Sequence, residues 1–156
     1  MRLSRKQENT GQYRVEAPFS VLYCVDTPKQ TGERTEGFVL AHMLKLNFPA
    51  SLPFGNNQRY DMVVERDGKL FKVQIKTGRE HGSVLVFKSC STHGITGKHR
   101  GYHGQIDVFV VFCPDSGKFY WIPVEDVPVG TPHLRLAPPV KNSSVCGYRW
   151  AKDYEF

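Results

Sequence analysis

No stretch of the chain approaches the ~18 consecutive apolar residues that a membrane-crossing helix needs, so no membrane span is expected. The basic opening MRLSRKQENT has no apolar segment behind it, which speaks against a secretory leader. Paired cysteines are missing as well. Cys24, Cys90, Cys113 and Cys146 stand far apart, with no CxxC and no matching histidine spacing. That pattern argues against a zinc site and leaves free, partly buried thiols in a reducing cytoplasm as the expectation. Acidic residues are in short supply: 15 against 21 Lys and Arg, giving a net charge of +6 and a pI near 9.2. Such a balance favours a polyanionic partner, nucleic acid or an anionic membrane. No internal repeat and no domain linker is visible.

What is present centres on one turn. Asp67-Gly68 is a two-residue hairpin signal flanked by alternating apolar residues. A symmetric turn pairs Arg66 with Lys69, which sets Asp61 opposite Gln74 and Arg59 opposite Lys76. Cross-strand partners share a face. Asp61, Gln74 and Lys76 therefore converge at the open end of the hairpin. Tyr60, Met62, Val64, Phe71, Val73 and Ile75 form the apolar reverse.

Ahead of the hairpin a helix is predicted from about Thr31 to Asn47, with Thr31 as its cap and Pro49 as its stop. A helical wheel places Arg34, Thr35, His42 and Lys45 on the polar side. Leu40, Met43 and Leu44 lie opposite, with Glu33 and Glu36 among them. Beyond the hairpin, Val84–Phe87 reads as a strand. The segment SCSTHGITGKHRGYHGQ is a long basic loop, IDVFVVFC a buried strand, KFYWIP its antiparallel neighbour and Val124–Val127 a helical turn. A strand around His133–Leu136 follows. Phe109, Phe112, Phe119 and Trp121 are expected in the core.

A carboxylate, an amide and an ammonium at one end of an apolar hairpin suit metal-assisted phosphodiester cleavage. Hard divalent cations prefer carboxylate and carbonyl oxygens. Asp61 offers one carboxylate, and Glu36 or Glu33 a second. The Gln74 amide oxygen and the Ile75 backbone carbonyl are further oxygens, while Lys76 can hold the attacking water or stabilise developing charge. The loop with Lys98, His99, Arg100 and His103 can contact phosphates or stay solvated. Arg59, Lys72 and Arg79 are further phosphate candidates, and Lys88 a weaker one. The loop histidines do not form the hairpin-and-helix pattern of an HNH site.

TGERTEGFVLAHML followed by PFGNNQRYDMVVERDGKLFKVQIKTG resembles the PD-(D/E)xK nuclease superfamily. Within it the chain is most similar to the endonucleases associated with group I introns and their archaeal relatives. The carrying motifs are the G-[ED]-x-x-E helix start at Gly32–Glu36, the Tyr60-Asp61 pair, and QxK at Gln74–Lys76 in place of ExK. IDVFVVFCPDSGKFYWIPVEDV, RLAPPVKN and RWAKDYEF resemble later stretches, so the likeness spans about residues 31–156.

The resemblance implies an α/β restriction-endonuclease-like core, a mixed β-sheet flanked by helices, and Mg²⁺-dependent cleavage of double-stranded DNA. It carries Glu36, Asp61, Gln74 and Lys76 over as catalytic residues, with Asp61, Glu36 and the Ile75 carbonyl at the metal and Glu33 in reserve. One nuclease domain over 1–156 is expected: an extension at 1–29, a catalytic core at 30–130, and a C-terminal strand and tail at 131–156. A homing-type endonuclease leads, with a Holliday junction resolvase-like enzyme and a DNA-binding module with a decayed site as rivals. Palindromic cutting needs two active sites, so a homodimer or higher symmetric assembly is expected.

Overall fold

The computed structural model describes residues 27–55, 57–92, 97–138 and 148–156. Cys24, Cys146 and the expected N-terminal extension up to residue 26 lie outside them. At the turn, Asp67 and Gly68 both take positive φ, 53° and 71°. This is the backbone a two-residue hairpin needs to match strand twist, and glycine reaches it without strain. Strand β2 (Met62–Arg66) and strand β3 (Lys69–Thr77) pair antiparallel with Arg66 opposite Lys69 and Met62 opposite Val73, the register read from the turn.

The hairpin continues into a five-stranded mixed sheet. Short β1 (Ala50–Ser51) pairs with β2, β3 pairs parallel with β8 (Val108–Cys113), and β8 pairs antiparallel with β9 (Lys118–Pro123), giving the order β1-β2-β3-β8-β9. All six residues of β8 are buried, because both faces of the sheet are covered there. Val108, Val110 and Phe112 join Met62, Val64, Val73 and Ile75 beneath α1, whereas Phe109, Val111 and Cys113 enter a second cluster on the opposite face. Phe119 and Trp121 pack partly buried against the first cluster.

The structure departs from the sequence-based expectation at α1 and in the basic loop. The helix α1 covers Pro28–Lys45 and is capped by Thr27, not Thr31. Thr27 and Gln30 form a reciprocal capping box, and Pro28 occupies the first turn, where a missing N–H costs nothing. The buried line of α1 is Thr35, Val39 and Met43, while Leu44 is 58% exposed and Glu33 and Glu36 are exposed residues. Thr35 can be buried because its hydroxyl is satisfied. It donates to the Thr31 carbonyl at 2.9 Å, so its contact with the Thr77 hydroxyl at 2.7 Å is one it accepts.

Among the described residues α1 is the one α-helix, and the opposite face is covered by a small sheet and loops. That sheet has the order β10-β5-β4, from His133–Arg135, Val84–Val86 and Arg79–His81. The long basic loop is also less irregular than expected, since β6 (Ser91–Thr92) pairs with β7 (His99–Arg100). No helix of the described residues is long and apolar enough to cross a membrane, and Cys90 and Cys113 are free and buried.

Candidate active site

The site arises where two neighbouring strands end unequally. β2 starts at Met62, whereas β3 runs on to Thr77, so residues 74–77 have β8 on one side and an open edge on the other. Asp61 sits at that edge. Its N–H donates to the Val73 carbonyl at 2.8 Å, which carries the ladder one step past β2. Its Oδ2 accepts from the Gln74 side-chain amide at 2.5 Å and from the Ile75 N–H at 2.7 Å. A strand residue points its N–H and C=O to the same edge. The Ile75 carbonyl therefore faces the edge that Asp61 closes.

The helix reaches the same place through Thr35. Its hydroxyl contact to Thr77 pins one turn of α1 over the end of β3, and Glu36 is the next residue. Glu36, Asp61, Gln74, Ile75 and Lys76 all line one cleft of about 230 Å³. An adjoining hollow of about 360 Å³ extends from Glu36 and Asp61 along the loop of Leu52, Pro53 and Gly55. Glu33 lines neither hollow; it is 61% exposed and 3.8 Å from Lys29 on its own helix.

The two cleft carboxylates resist ionisation. Asp61 is pushed above the ordinary carboxylate value by loss of water. The Ile75 N–H, the Lys76 ammonium and the Gln74 amide draw it partly back. Glu36 is pushed up first by desolvation in the cleft, then by repulsion from Asp61 and Glu33, with Lys76 opposing. Negative charge is thus concentrated where burial disfavours it, a setting that an added cation relieves. Among the described residues no three His, Cys, Asp or Glu side chains gather as a metal-holding group. The donor set is two carboxylates and a backbone carbonyl, with no thiol or imidazole. Those donors fit a hard divalent cation that keeps much of its water shell.

Gln74 is 8% exposed and donates its amide nitrogen to Asp61, so it orients the carboxylate. Lys76 is half-buried, and its Nζ donates to the Tyr102 hydroxyl at 3.2 Å and lies 5.0 Å from that ring's centre.

The proposed phosphate contacts separate into groups. Arg59 is engaged within the protein. Its guanidinium donates to Gln105 Oε1 at 2.9 Å, Ser91 Oγ at 2.9 Å and the Gly101 carbonyl at 3.0 Å, over the Tyr102 ring. Three of the five guanidinium N–H donors are thus satisfied within the protein. Lys72 lies on the expected sheet face but lines a different depression, with Asp107 and Glu125. Arg79, Lys88, Lys98, Arg100 and His103 are exposed. Tyr102 carries no signal of its own in the sequence beyond being the lone aromatic in a glycine- and histidine-rich loop.

A family model described as PD-(D/E)XK endonuclease matches residues 26–156. Among solved structures, that of a bacterial homing endonuclease, I-Ssp6803I, has the same fold. The TM-score is 0.65 at 22% sequence identity, over 83% of this chain and 89% of that one. No curated protein matches the chain.

Proposed function

The chain belongs to the PD-(D/E)XK endonuclease family, and from that premise we propose that it is a homing-type endonuclease that hydrolyses double-stranded DNA with Mg²⁺ in the cleft at the open end of the β2–β3 hairpin. The observation that carries the reading is the convergence of Glu36, Asp61, the Ile75 backbone and Lys76 on one cleft from two strands and a helix. The fold shared with a bacterial homing endonuclease supports the homing assignment.

Asp61, Glu36 and the Ile75 carbonyl would hold the cation. Both hydrogen bonds to Asp61 fall on Oδ2, so Oδ1 is the oxygen assigned to it. A bound divalent cation lowers the proton affinity of a coordinated water and neutralises charge on phosphate oxygens. Gln74 holds the Asp61 carboxylate in one orientation. Its neutrality keeps the cleft from carrying a third carboxylate. Lys76 repels a cation, so its place is at the attacking water or at the non-bridging phosphate oxygen where charge develops. Exposed Arg79, Lys98 and Arg100 contact phosphates along the duplex. Two clefts are needed to cut both strands of a palindromic target, which assigns a symmetric homo-oligomer.

The test is cleavage of a supercoiled plasmid carrying the sequence that flanks the gene, with Mg²⁺ and with EDTA, beside a synthetic four-way junction. Linear product at one site, dependent on Mg²⁺, is the expected result. Preferential resolution of the junction would reassign the enzyme to structure-specific cleavage. Salt-sensitive binding without any nicked product would mark a binding module with a decayed site.

A further inference from the structure

Lys76 is held by a residue outside the cleft motif, and that residue is itself held from two sides. Tyr102 is 5% exposed in the segment between β7 and β8. Its backbone carbonyl accepts from the N–H groups of Gln105 and Ile106 at 2.9 and 3.3 Å, which closes a tight turn behind it. Its ring meets the core edge-on through Phe109, with centroids 5.5 Å apart. Gly101 allows the close approach on its other side, because a Cβ there would come within 2.7 Å of the Val129 side chain. Arg59 then brackets the tyrosine. Its guanidinium lies 4.1 Å from the ring centre and grips the Gly101 carbonyl on one side and the Gln105 side chain on the other. The tyrosine is thus fixed in position, and its hydroxyl ends at Lys76 Nζ.

We propose that Tyr102 is a positioning residue for catalysis. It accepts one of the three Lys76 ammonium hydrogen bonds and holds the ammonium over its ring, so that the remaining donors address the scissile phosphate. Arg59 locks Tyr102 in that pose. The proposal rests on the assignment of Lys76 to the chemistry. A four-carbon lysine stem has many rotamers, and an ammonium that must meet one oxygen gains from being anchored by one bond. Arg59 has the residue type and location of a phosphate contact, yet its role here is internal. Its removal therefore slows the chemical step without weakening DNA binding.

The experiment compares wild type, Tyr102→Phe, Lys76→Ala and the double variant. It measures single-turnover cleavage at saturating DNA in Mg²⁺, DNA affinity in Ca²⁺, and thermal melting. Tyr102→Phe keeps the ring that packs on Arg59 and Phe109 and removes only the hydroxyl. The expected result is an about 10-fold slower cleavage step, with affinity and melting temperature unchanged, in keeping with a displaced reacting group. In the Lys76→Ala background the same change should alter the rate by less than about two-fold, because a residue acting through Lys76 has nothing left to position. Wild-type cleavage by Tyr102→Phe beside a defective Lys76→Ala would overturn the role of Tyr102 and leave the nuclease site standing. An undiminished loss in the Lys76→Ala background would also overturn it, since Tyr102 would then act by another route. Full activity in both single variants would overturn the proposal together with the assignment of Lys76.

Discussion

The two ends of the β2–β3 hairpin are built on one ladder and one register, yet they carry charge in opposite settings. At the turn end, Arg66 and Asp67 lie 3.6 Å apart with Asp67 87% exposed, and Lys69 and Leu70 face solvent. Water screens such a pair, and its worth is about 0–1 kcal/mol. At the open end, Gln74 is buried, Asp61 and Lys76 are half-buried, and Asp61 is pushed above the ordinary carboxylate value by loss of water. Cross-strand geometry alone does not separate an ion pair from an active site. What separates them is where the neighbouring strand stops. β2 covers β3 up to Met62 and then leaves an edge, and α1 brings a second carboxylate to that edge in place of a β-strand.

The comparison breaks most severely at Lys76. Replacement by Ala is expected to slow Mg²⁺-dependent cleavage by about 100-fold or more, the scale of losing a positioned proton-transfer group. Binding measured by gel shift in Ca²⁺ should persist, because phosphate contacts are spread over other basic residues and roughly one counterion's worth of salt slope is at stake. Glu36→Gln comes next. It should abolish most cleavage, whereas Glu33→Gln, which changes a side chain paired with Lys29 outside the cleft, should keep most of it. Parallel single-turnover assays decide between them, and the reverse outcome would move the helix acid to Glu33.

A smaller effect concerns stability. Asp61 is more easily protonated in the folded chain than in the unfolded one. An acid with a raised folded value contributes most below its unfolded value of ~4, and the contribution is lost as pH rises through the folded value. Asp61→Asn should therefore raise the melting temperature of metal-free protein at neutral pH. The gap to wild type should narrow as pH falls toward 4. Melting curves across that range, without divalent ions, check the sign, and a gap that widens on acidification would contradict it. Smallest of all, Lys69→Ala at the turn end should leave cleavage within about two-fold of wild type and stability within ~0.5 kcal/mol.

Much of this architecture was legible because it rests on local chemistry. Asp67-Gly68 needs a backbone that few residues tolerate, so it fixed the turn, and the turn fixed the register that sets Asp61 opposite Gln74. The run from Val108 to Cys113 is apolar on both faces and could only be an inner strand. The start of α1 was misread because Thr31 offers the same hydroxyl as Thr27. The Gln30 side chain that completes the box, and Pro28 after it, decided for the earlier residue. Thr35 was assigned to solvent because its partner, the Thr77 hydroxyl, is remote in sequence. The internal partners of Arg59 were hidden for the same reason. A basic residue beside a nuclease motif reads as a phosphate contact until Gln105, Ser91 and Gly101 are seen around it, and those positions lie in a loop whose path no periodicity announces. Tyr102 escaped notice with it.

The most direct test of the catalytic assignment is Asp61→Asn cleavage in Mg²⁺, measured against wild type on the same plasmid, with Ca²⁺-supported binding as the control for folding and DNA contact. The substitution keeps size and the capacity to accept from the Ile75 N–H while removing the charge at the edge of β3. Loss of cleavage with binding retained is the result expected if the open end of the hairpin is the catalytic centre. Cleavage by Asp61→Asn at the wild-type rate would contradict it and place the chemistry elsewhere in the chain.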